Sequence, residues 1–474
     1  MKLVNKINPH MFRGYDIRGV VDTDLTDDTV YTLGRAYATF LYNRKIKEAT
    51  VGRDNRLSGE RFAKIFIKGL NDGGINTIDL GLSLSQIVYF SAYYFRTKGS
   101  VMITASHNPK EYNGFKFGVG YSDTMIGEEI QWLRETIEAG NIHESKIKGV
   151  NREQDIFKAY KEDILKHFSL NKKWKIVVDG CATGSGVFYP PLFRDAGCEV
   201  IEQNCKPDGN FPVGTPDPTE THVLERLSAR VKKEGADIGF AYDTDGDRMS
   251  AVDENGDILY MDSVVAMFAK DILDFMPGAK IVYNTLCSRQ VTEAIQEAGG
   301  IPIMCLTGHS YVKATIKEHR APFGGELSGH IFFMDNFYGH DDGAYASLRL
   351  LQYLERKNQK LSDAMADLNV YVSSPEIKFG LADDIKFTLI DNEIKADFKK
   401  QWPDAQFTEI EGVRMDTDST MAIVRASQNG PYITVKFEGK TQDQYDQVKV
   451  QVRKILKNYE QIDWTTGVNT HALD

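Results

Sequence analysis

Thr104-Ala105-Ser106-His107-Asn108-Pro109 follows the apolar residues 100–103. A serine just past a buried strand, beside a histidine and ahead of a helix-breaking proline, is placed to carry a phosphoryl group. The same residue types also make an ordinary turn that satisfies its own backbone. What favours chemistry lies far down the chain, where Asp243-Thr244-Asp245-Gly246-Asp247-Arg248 follows the apolar residues 238–241. Three carboxylates at alternate positions beyond a strand end converge only if something neutralises them. At about 4 Å and an effective dielectric near 20, each like-charged pair costs roughly 4 kcal/mol. A cation is the natural partner, and oxygen-only ligands without nearby His or Cys favour Mg²⁺ over zinc. The glutamate-terminated loop of a calcium EF-hand is absent, and a solvated acidic turn is the alternative.

Two more loops have matching character. Gly324-Gly325-Glu326-Leu327-Ser328-Gly329-His330 brings a carboxylate, a hydroxyl and an imidazole suited to vicinal sugar hydroxyls, although a Gly-rich turn with one buried histidine is common. Arg425-Ala426-Ser427-Gln428-Asn429-Gly430-Pro431 offers a guanidinium, a hydroxyl, side-chain amides and turn N–H groups suited to a phosphate dianion, or a plain hairpin turn. Arg18 in Tyr15-Asp16-Ile17-Arg18-Gly19 and Lys116 in Asn113-Gly114-Phe115-Lys116 add two cations, which alone read equally as surface charge.

These loops need elements to position them. Residues 26–42 place Val30, Leu33, Tyr37, Phe40 and Leu41 on one helical stripe, with Asp27 and Asp28 in the first turn where carboxylates complement the helix dipole. A strand at 49–52, a helix through Phe62, Ile65, Phe66 and Leu70, and a strand at 75–80 follow with short connections, the pattern of a mostly parallel sheet. The unit recurs from Lys175 to Ile201 through a Gly-rich turn at 180–186, and again from Lys280 to Met304 through a helix at 291–298. Polar residues 140–155, the turn 253–257 and residues 369–375 are the expected boundaries. The last block has charged helices and a hairpin-like pair, 419–426 and 432–437, and reads as a small antiparallel α+β domain.

The bulk properties set the outer limits. At 474 residues the chain has room for three or four domains. Lys and Arg number 57 against 67 for Asp and Glu, so the net charge of −10 attracts neither nucleic acid nor an anionic membrane, and an anionic substrate needs a local basic pocket. No apolar run approaches the roughly 20 residues that span a bilayer, and residues 1–16 hold no signal-peptide core. Five cysteines without a CxxC pair argue against a disulfide framework and for a reducing compartment. The expectation is a soluble cytoplasmic protein, folded throughout, that binds neither nucleic acid nor membrane.

Taken together, the segments resemble the α-D-phosphohexomutase family, particularly its phosphomannomutase/phosphoglucomutase branch. The motifs Tyr15 to Gly19, Thr104 to Pro109, Asn113 to Lys116, Asp243 to Arg248, Gly325 to His330 and Arg425 to Ser427 stand in the family's order and approximate spacing over nearly the whole chain. The resemblance implies three similar α/β domains with mixed, mostly parallel sheets plus a C-terminal α+β domain around a central cleft, with borders near residues 1–150, 151–255, 256–370 and 371–474. It implies that Ser106 is carried as phosphoserine, with one Mg²⁺ per chain between it and Asp243, Asp245 and Asp247. Arg18, Lys116 and Arg248 would neutralise charge, and Lys116, His107 or His330 would move the proton. Tyr15, His309, Glu326, Ser328 and His330 would contact the sugar phosphate, and Arg425, Ser427, Gln428 and Asn429 its non-reacting phosphate. Implied too are interconversion of hexose 1- and 6-phosphates through a bound 1,6-bisphosphate, glucose or mannose 1,6-bisphosphate as activator, and a monomer or homodimer.

The chain also departs from that pattern. Where the branch often has lysine in Val-Lys-Cys-Thr-Arg, it has Thr285-Leu286-Cys287-Ser288-Arg289, and Arg289 or Lys313 would have to replace the charge. The competing readings are a phosphoglucosamine mutase, a metal-dependent sugar phosphatase in which water takes the phosphoryl group, and a non-catalytic sugar-phosphate-binding protein.

Overall fold

The computed structural model describes residues 1–369, 371–428 and 430–473. Its first compact unit comprises Met1–Met261 and Ser328–Ala364. One sheet there runs, in spatial order, Ile17–Val20, Tyr112–Gly118, Gly99–Ile103, Glu48–Arg53, Asn76–Leu82 and Asn151–Glu153. The first two junctions are antiparallel and the rest parallel. Gly99–Ile103 is buried at every position, as a continuous apolar run requires when both faces are covered. Helix Asp27–Asn43 covers it, and its start is set by Thr26, whose hydroxyl accepts from Thr29 N–H ahead of Asp27 and Asp28. The polar stretch expected as a boundary holds Asn151–Glu153, an exposed edge strand paired parallel with residues 77–79. Three solvated residues carry no alternation, which is why the pattern missed them.

The second sheet runs Met249–Asp253, Ile238–Tyr242, Lys175–Asp179 and Glu199–Gln203, antiparallel at the first junction and parallel after it. Residues 253–257 form a turn closed by Asp253 N–H donating to Asp257 O at 3.0 Å.

The second compact unit comprises Asp262–Leu327 and Met365–Asp474. Ile301–Cys305, Lys280–Asn284 and Phe323–Gly325 form parallel neighbours there. An antiparallel sheet follows in the order Gln406–Thr408, Val413–Asp416, Thr420–Ala426, Tyr432–Gly439, Ile377–Gly380 and Asp463–Val468, with Val372–Ser373 also paired to Tyr432–Gly439. The expected hairpin is its centre. Helix Gln442–Leu456, opened by a Thr441/Gln444 capping box, packs Val448, Val452, Ile455 and Leu456 into the core beneath. The architecture is four α/β domains, the last built on an antiparallel sheet. All five cysteines are free thiols, and no helix among the described residues is long and apolar enough to cross a membrane.

Candidate active site

Ser106 stands two residues beyond the strand-following Thr104, with φ +48°. Its N–H donates to Thr104 Oγ1 at 2.8 Å, and its Oγ donates to Asp243 Oδ2 at 2.8 Å, with His107 Nδ1 3.2 Å away. A buried guanidinium holds the loop. Arg56 donates to the carbonyls of Ser106 (2.5 Å), Asn108 (2.6 Å), Pro109 (2.8 Å) and Tyr112 (3.0 Å), pairs with Asp54 at 3.2 Å, and lies over the Phe211 ring. Arg18 binds the same loop, donating to Ala105 O and to Asn108 Oδ1 at 3.2 and 2.7 Å while pairing with Asp16.

Facing Ser106 is the loop after Ile238–Tyr242. Thr183 and Ser185 donate to Asp243 O, and Tyr189 donates to Gly246 O. These bonds turn the three carboxylates together, so that Asp243, Asp245 and Asp247 each bring an oxygen within 4.8 Å of the others. Lys116, opposite Met102 in the sheet register, reaches them with Nζ 2.7 Å from Asp245 Oδ2 and 2.5 Å from Asp247 Oδ2. Ser85 donates to the same Asp245 oxygen at 2.5 Å.

Electrostatics follow from burial. Desolvation, then Asp245 and Asp247, push Asp243 well above the usual carboxylate range. Burial and Asp245 also raise Asp247. Desolvation opposes ionisation of Asp245 as well, but Lys116 and the Ser85 hydrogen bond override it and hold that carboxyl low. Burial works against the charge on Lys116, and the pull of Asp245 and Asp247 outweighs it, so the ammonium is firmly retained. One lysine does not balance three carboxylates. Asp245 Oδ1 and Asp247 Oδ1 are buried and accept no hydrogen bond among the described residues. Uncompensated, oxygen-only and convergent, the cluster fits a hard divalent cation.

Gly329, at φ +90°, lies so close to Met249 that a Cβ there would meet its carbonyl oxygen at 2.2 Å. That approach sets His330 beside Arg248, whose Nε donates to His330 Nε2 at 2.9 Å, while His330 Nδ1 lies 2.7 Å from Asp341 Oδ2. With Nε2 accepting from Arg248, His330 supports that arginine. Arg248 and His107 also face Asp217 at 4.0 and 3.9 Å. Tyr15 is buried and close enough to act electrostatically on Arg18 and Arg248, and Ser328 is half-buried in the same unit.

The second unit holds the remaining candidates. Glu326 Oε1 accepts from Gly308 N–H at 2.6 Å, beside the buried His309 that opens helix His309–His319. Arg425, on Thr420–Ala426, donates to Glu411 Oε2 at 3.2 Å. Lys386 supports the following turn through the carbonyls of Ser427 and Gly430 at 2.6 and 2.8 Å. Gln428 is half-buried in that turn, and Asn429 lies outside the described residues.

Models of the phosphoglucomutase/phosphomannomutase α/β/α domains I, II and III match residues 9–143, 158–256 and 260–371 respectively. The chain belongs to the phosphoglucomutase/phosphomannomutase family. It is 40% identical over 442 residues, 93% of each chain, to a phosphomannomutase/phosphoglucomutase of Pseudomonas syringae pv. tomato. To a phosphoglucomutase of Neisseria gonorrhoeae it is 35% identical over 460 residues, 97% of this chain and 99% of that one. A crystal structure of a phosphoglucomutase/phosphomannomutase family protein from Burkholderia thailandensis superposes with a TM-score of 0.87 at 32% identity, covering 96% of this chain and 98% of that one.

Leu286 is buried. Arg289 is engaged elsewhere, 3.6 Å from Glu293 and 3.7 Å from Asp416. Lys313 is buried on helix His309–His319. Sequence reasoning missed Arg56, Asp54, Asp217, Asp341 and Glu411. Each lies near a turn without a spacing that marks it, and only long-range closure of the fold brings it to a functional loop.

Proposed function

We propose that the chain interconverts the 1- and 6-phosphates of mannose and glucose through a phosphoserine at Ser106 and a bound hexose 1,6-bisphosphate. The observation that carries this reading is Ser106 Oγ, 2.8 Å from Asp243 in a buried cluster of three carboxylates and Lys116. A mere binding protein has no need of a serine held in a left-handed conformation by a loop that two buried arginines bind. Family membership and the activities named for the relatives at 35–40% identity point the same way.

Transfer breaks the Ser106 Oγ–P bond as a sugar hydroxyl oxygen forms its own bond to phosphorus. One proton passes from that hydroxyl to the serine oxygen. His107, with Nδ1 3.2 Å from Ser106 Oγ, serves the serine end of that path. Lys116, Arg18 and Arg248 set positive charge around the transferring group, which positioning and neutralisation accelerate more than covalent assistance does. Mg²⁺ held by Asp243, Asp245, Asp247 and the oxygens on Ser106 would supply further neutralisation of that group. The bisphosphate then turns over and returns its other phosphate to Ser106, with hydroxyls read by Tyr15, His309, Glu326 and Ser328 and the idle phosphate by Arg425, Ser427, Gln428 and Asn429. Glucose or mannose 1,6-bisphosphate loads the serine. We place the enzyme in the cytoplasm, as a monomer or homodimer.

The test is incubation with Mg²⁺, catalytic glucose 1,6-bisphosphate and, in turn, mannose, glucose or glucosamine 1-phosphate. Mannose and glucose 6-phosphates are expected. No 6-phosphate from any substrate rejects the reading, and free phosphate at the full turnover rate favours a phosphatase.

A further inference from the structure

Glu411 sits where four donors converge. Its Oε1 accepts from Thr285 Oγ1, from Thr307 N–H at 3.0 Å and from Thr307 Oγ1 at 2.5 Å, and its Oε2 accepts from Arg425 Nη1 at 3.2 Å. Both side chains of the ion pair are nearly fully buried. The topology puts it there. Val413 pairs with Val424 in antiparallel register, so the preceding Gly412 lies against Arg425, and Glu411 stands beyond the strand end. Gly412 is required at this approach: φ is +66°, and a Cβ would meet Val424 O at 2.2 Å. From Glu411 the connection runs on, because Gly308, next to Thr307, donates its N–H to Glu326 Oε1 at 2.6 Å. Arg414, three residues along from Glu411, pins the same region, donating to Thr285 O and Cys287 O at 2.6 Å each, on either side of Leu286.

Given the function proposed above, we infer that Glu411 is a positioning residue that joins Arg425, the phosphate-binding arginine, to the Thr307 and Gly308 turn that orients Glu326. Each of these partners of its carboxylate is a donor. Only an acceptor-only group satisfies them all, and a glutamine of the same shape must aim its NH₂ at either Arg425 or the threonines. The guanidinium is thus aimed by a residue that touches neither phosphate nor sugar. Phosphate capture and hydroxyl reading share one hydrogen-bonded frame, and the loop carrying Leu286 is part of it.

The experiment compares wild type, Glu411→Gln, Glu411→Asp, Thr307→Val, Thr307→Ser and Arg425→Ala for kcat and KM with glucose 1-phosphate, for inorganic phosphate binding by calorimetry, and for melting temperature. Hydrogen bonds to charged groups change binding by about ten- to a hundredfold. Glu411→Gln should therefore raise KM and weaken phosphate binding about tenfold, with kcat within about threefold. Thr307→Val should shift KM in the same direction, and Thr307→Ser, which keeps the hydroxyl, should restore it. Glu411→Asp should fall between wild type and Glu411→Gln. Wild-type KM in Glu411→Gln with only a lowered melting temperature overturns the inference. So does tighter phosphate binding, which would make Glu411 a competitor for Arg425. If Glu411→Gln fails to fold, the Thr307 pair decides, and equal KM values for Val and Ser overturn it. Wild-type KM in Arg425→Ala removes the phosphate role of Arg425 itself, and the inference with it.

Discussion

Replacing Arg56 by lysine keeps a buried positive charge and removes the fork that holds the Ser106 loop. The guanidinium makes five hydrogen bonds, four to the carbonyls of Ser106, Asn108, Pro109 and Tyr112 and one to Asp54. A lysine ammonium has three donors radiating from one point, so at least two of those acceptors lose their partner. At about 1.5–3 kcal/mol for each charge-assisted bond, the loop loses roughly 3–6 kcal/mol of support. Ser106 is the residue that suffers, because its φ of +48° is a conformation that only the surrounding structure maintains. If about half of that support is felt in the transition state, kcat falls about ten- to a hundredfold at roughly 1.4 kcal/mol per tenfold. KM should stay within about threefold, since Arg56 touches no proposed substrate group. Steady-state kinetics with glucose 1-phosphate, together with intact-mass measurement of Ser106 phosphorylation, checks this. Wild-type kcat and a wild-type rate of serine phosphorylation in a folded Arg56→Lys variant would refute the reasoning.

Other outcomes follow from the same geometry. Ser106→Ala should lose activity by at least about a thousandfold while still binding glucose 1-phosphate in calorimetry through groups such as Arg425; full activity would remove Ser106 from the mechanism. Chelation by EDTA should abolish turnover and added Mg²⁺ restore it, because Asp243, Asp245 and Asp247 leave surplus buried negative charge; unchanged rates after exhaustive chelation would contradict a metal role. Burial lifts the Asp342 carboxyl from 3.8 to about 7, where it caps helix Gly343–Lys357 and accepts from Tyr160. The folded state therefore holds a proton that the unfolded chain releases. The associated stability is present below pH about 4 and is lost as pH rises to about 7, in total about 4 kcal/mol at roughly 1.4 kcal/mol per pH unit. Asp342→Asn keeps the cap without a proton to lose, so its denaturation midpoint should gain on wild type between pH 5 and 8; parallel profiles would contradict this.

Much of the fold was legible because burial leaves a period. The stripe from Val30 to Leu41 and the uninterrupted apolar run before Thr104 exist because one face, or both, must leave water. Asp243, Asp245 and Asp247 were legible for the opposite reason: like charges at alternate positions are costly unless they serve something. Arg56 and Glu411 carry no such mark. Each satisfies a loop more than 40 residues away in sequence, Arg56 reaching Ser106 across 50 residues and Glu411 reaching Thr307 across 104. Their types are ordinary at turns, and only the tertiary register shows that they hold functional loops. The contact of His330 with Arg248 was hidden for a similar cause, since the Gly329 approach beside it is a packing constraint and not a pattern.

The central claim is that Ser106 carries the phosphoryl group that moves. Loading the enzyme with glucose 1,6-bisphosphate labelled with ³²P in its phosphates, removing free ligand, and chasing with unlabelled mannose 1-phosphate tests it in one measurement. The account predicts label on the peptide containing Ser106 and its transfer, on a single turnover, into hexose bisphosphate and 6-phosphate. Label that never reaches Ser106, or that leaves it only as inorganic phosphate, would contradict the account.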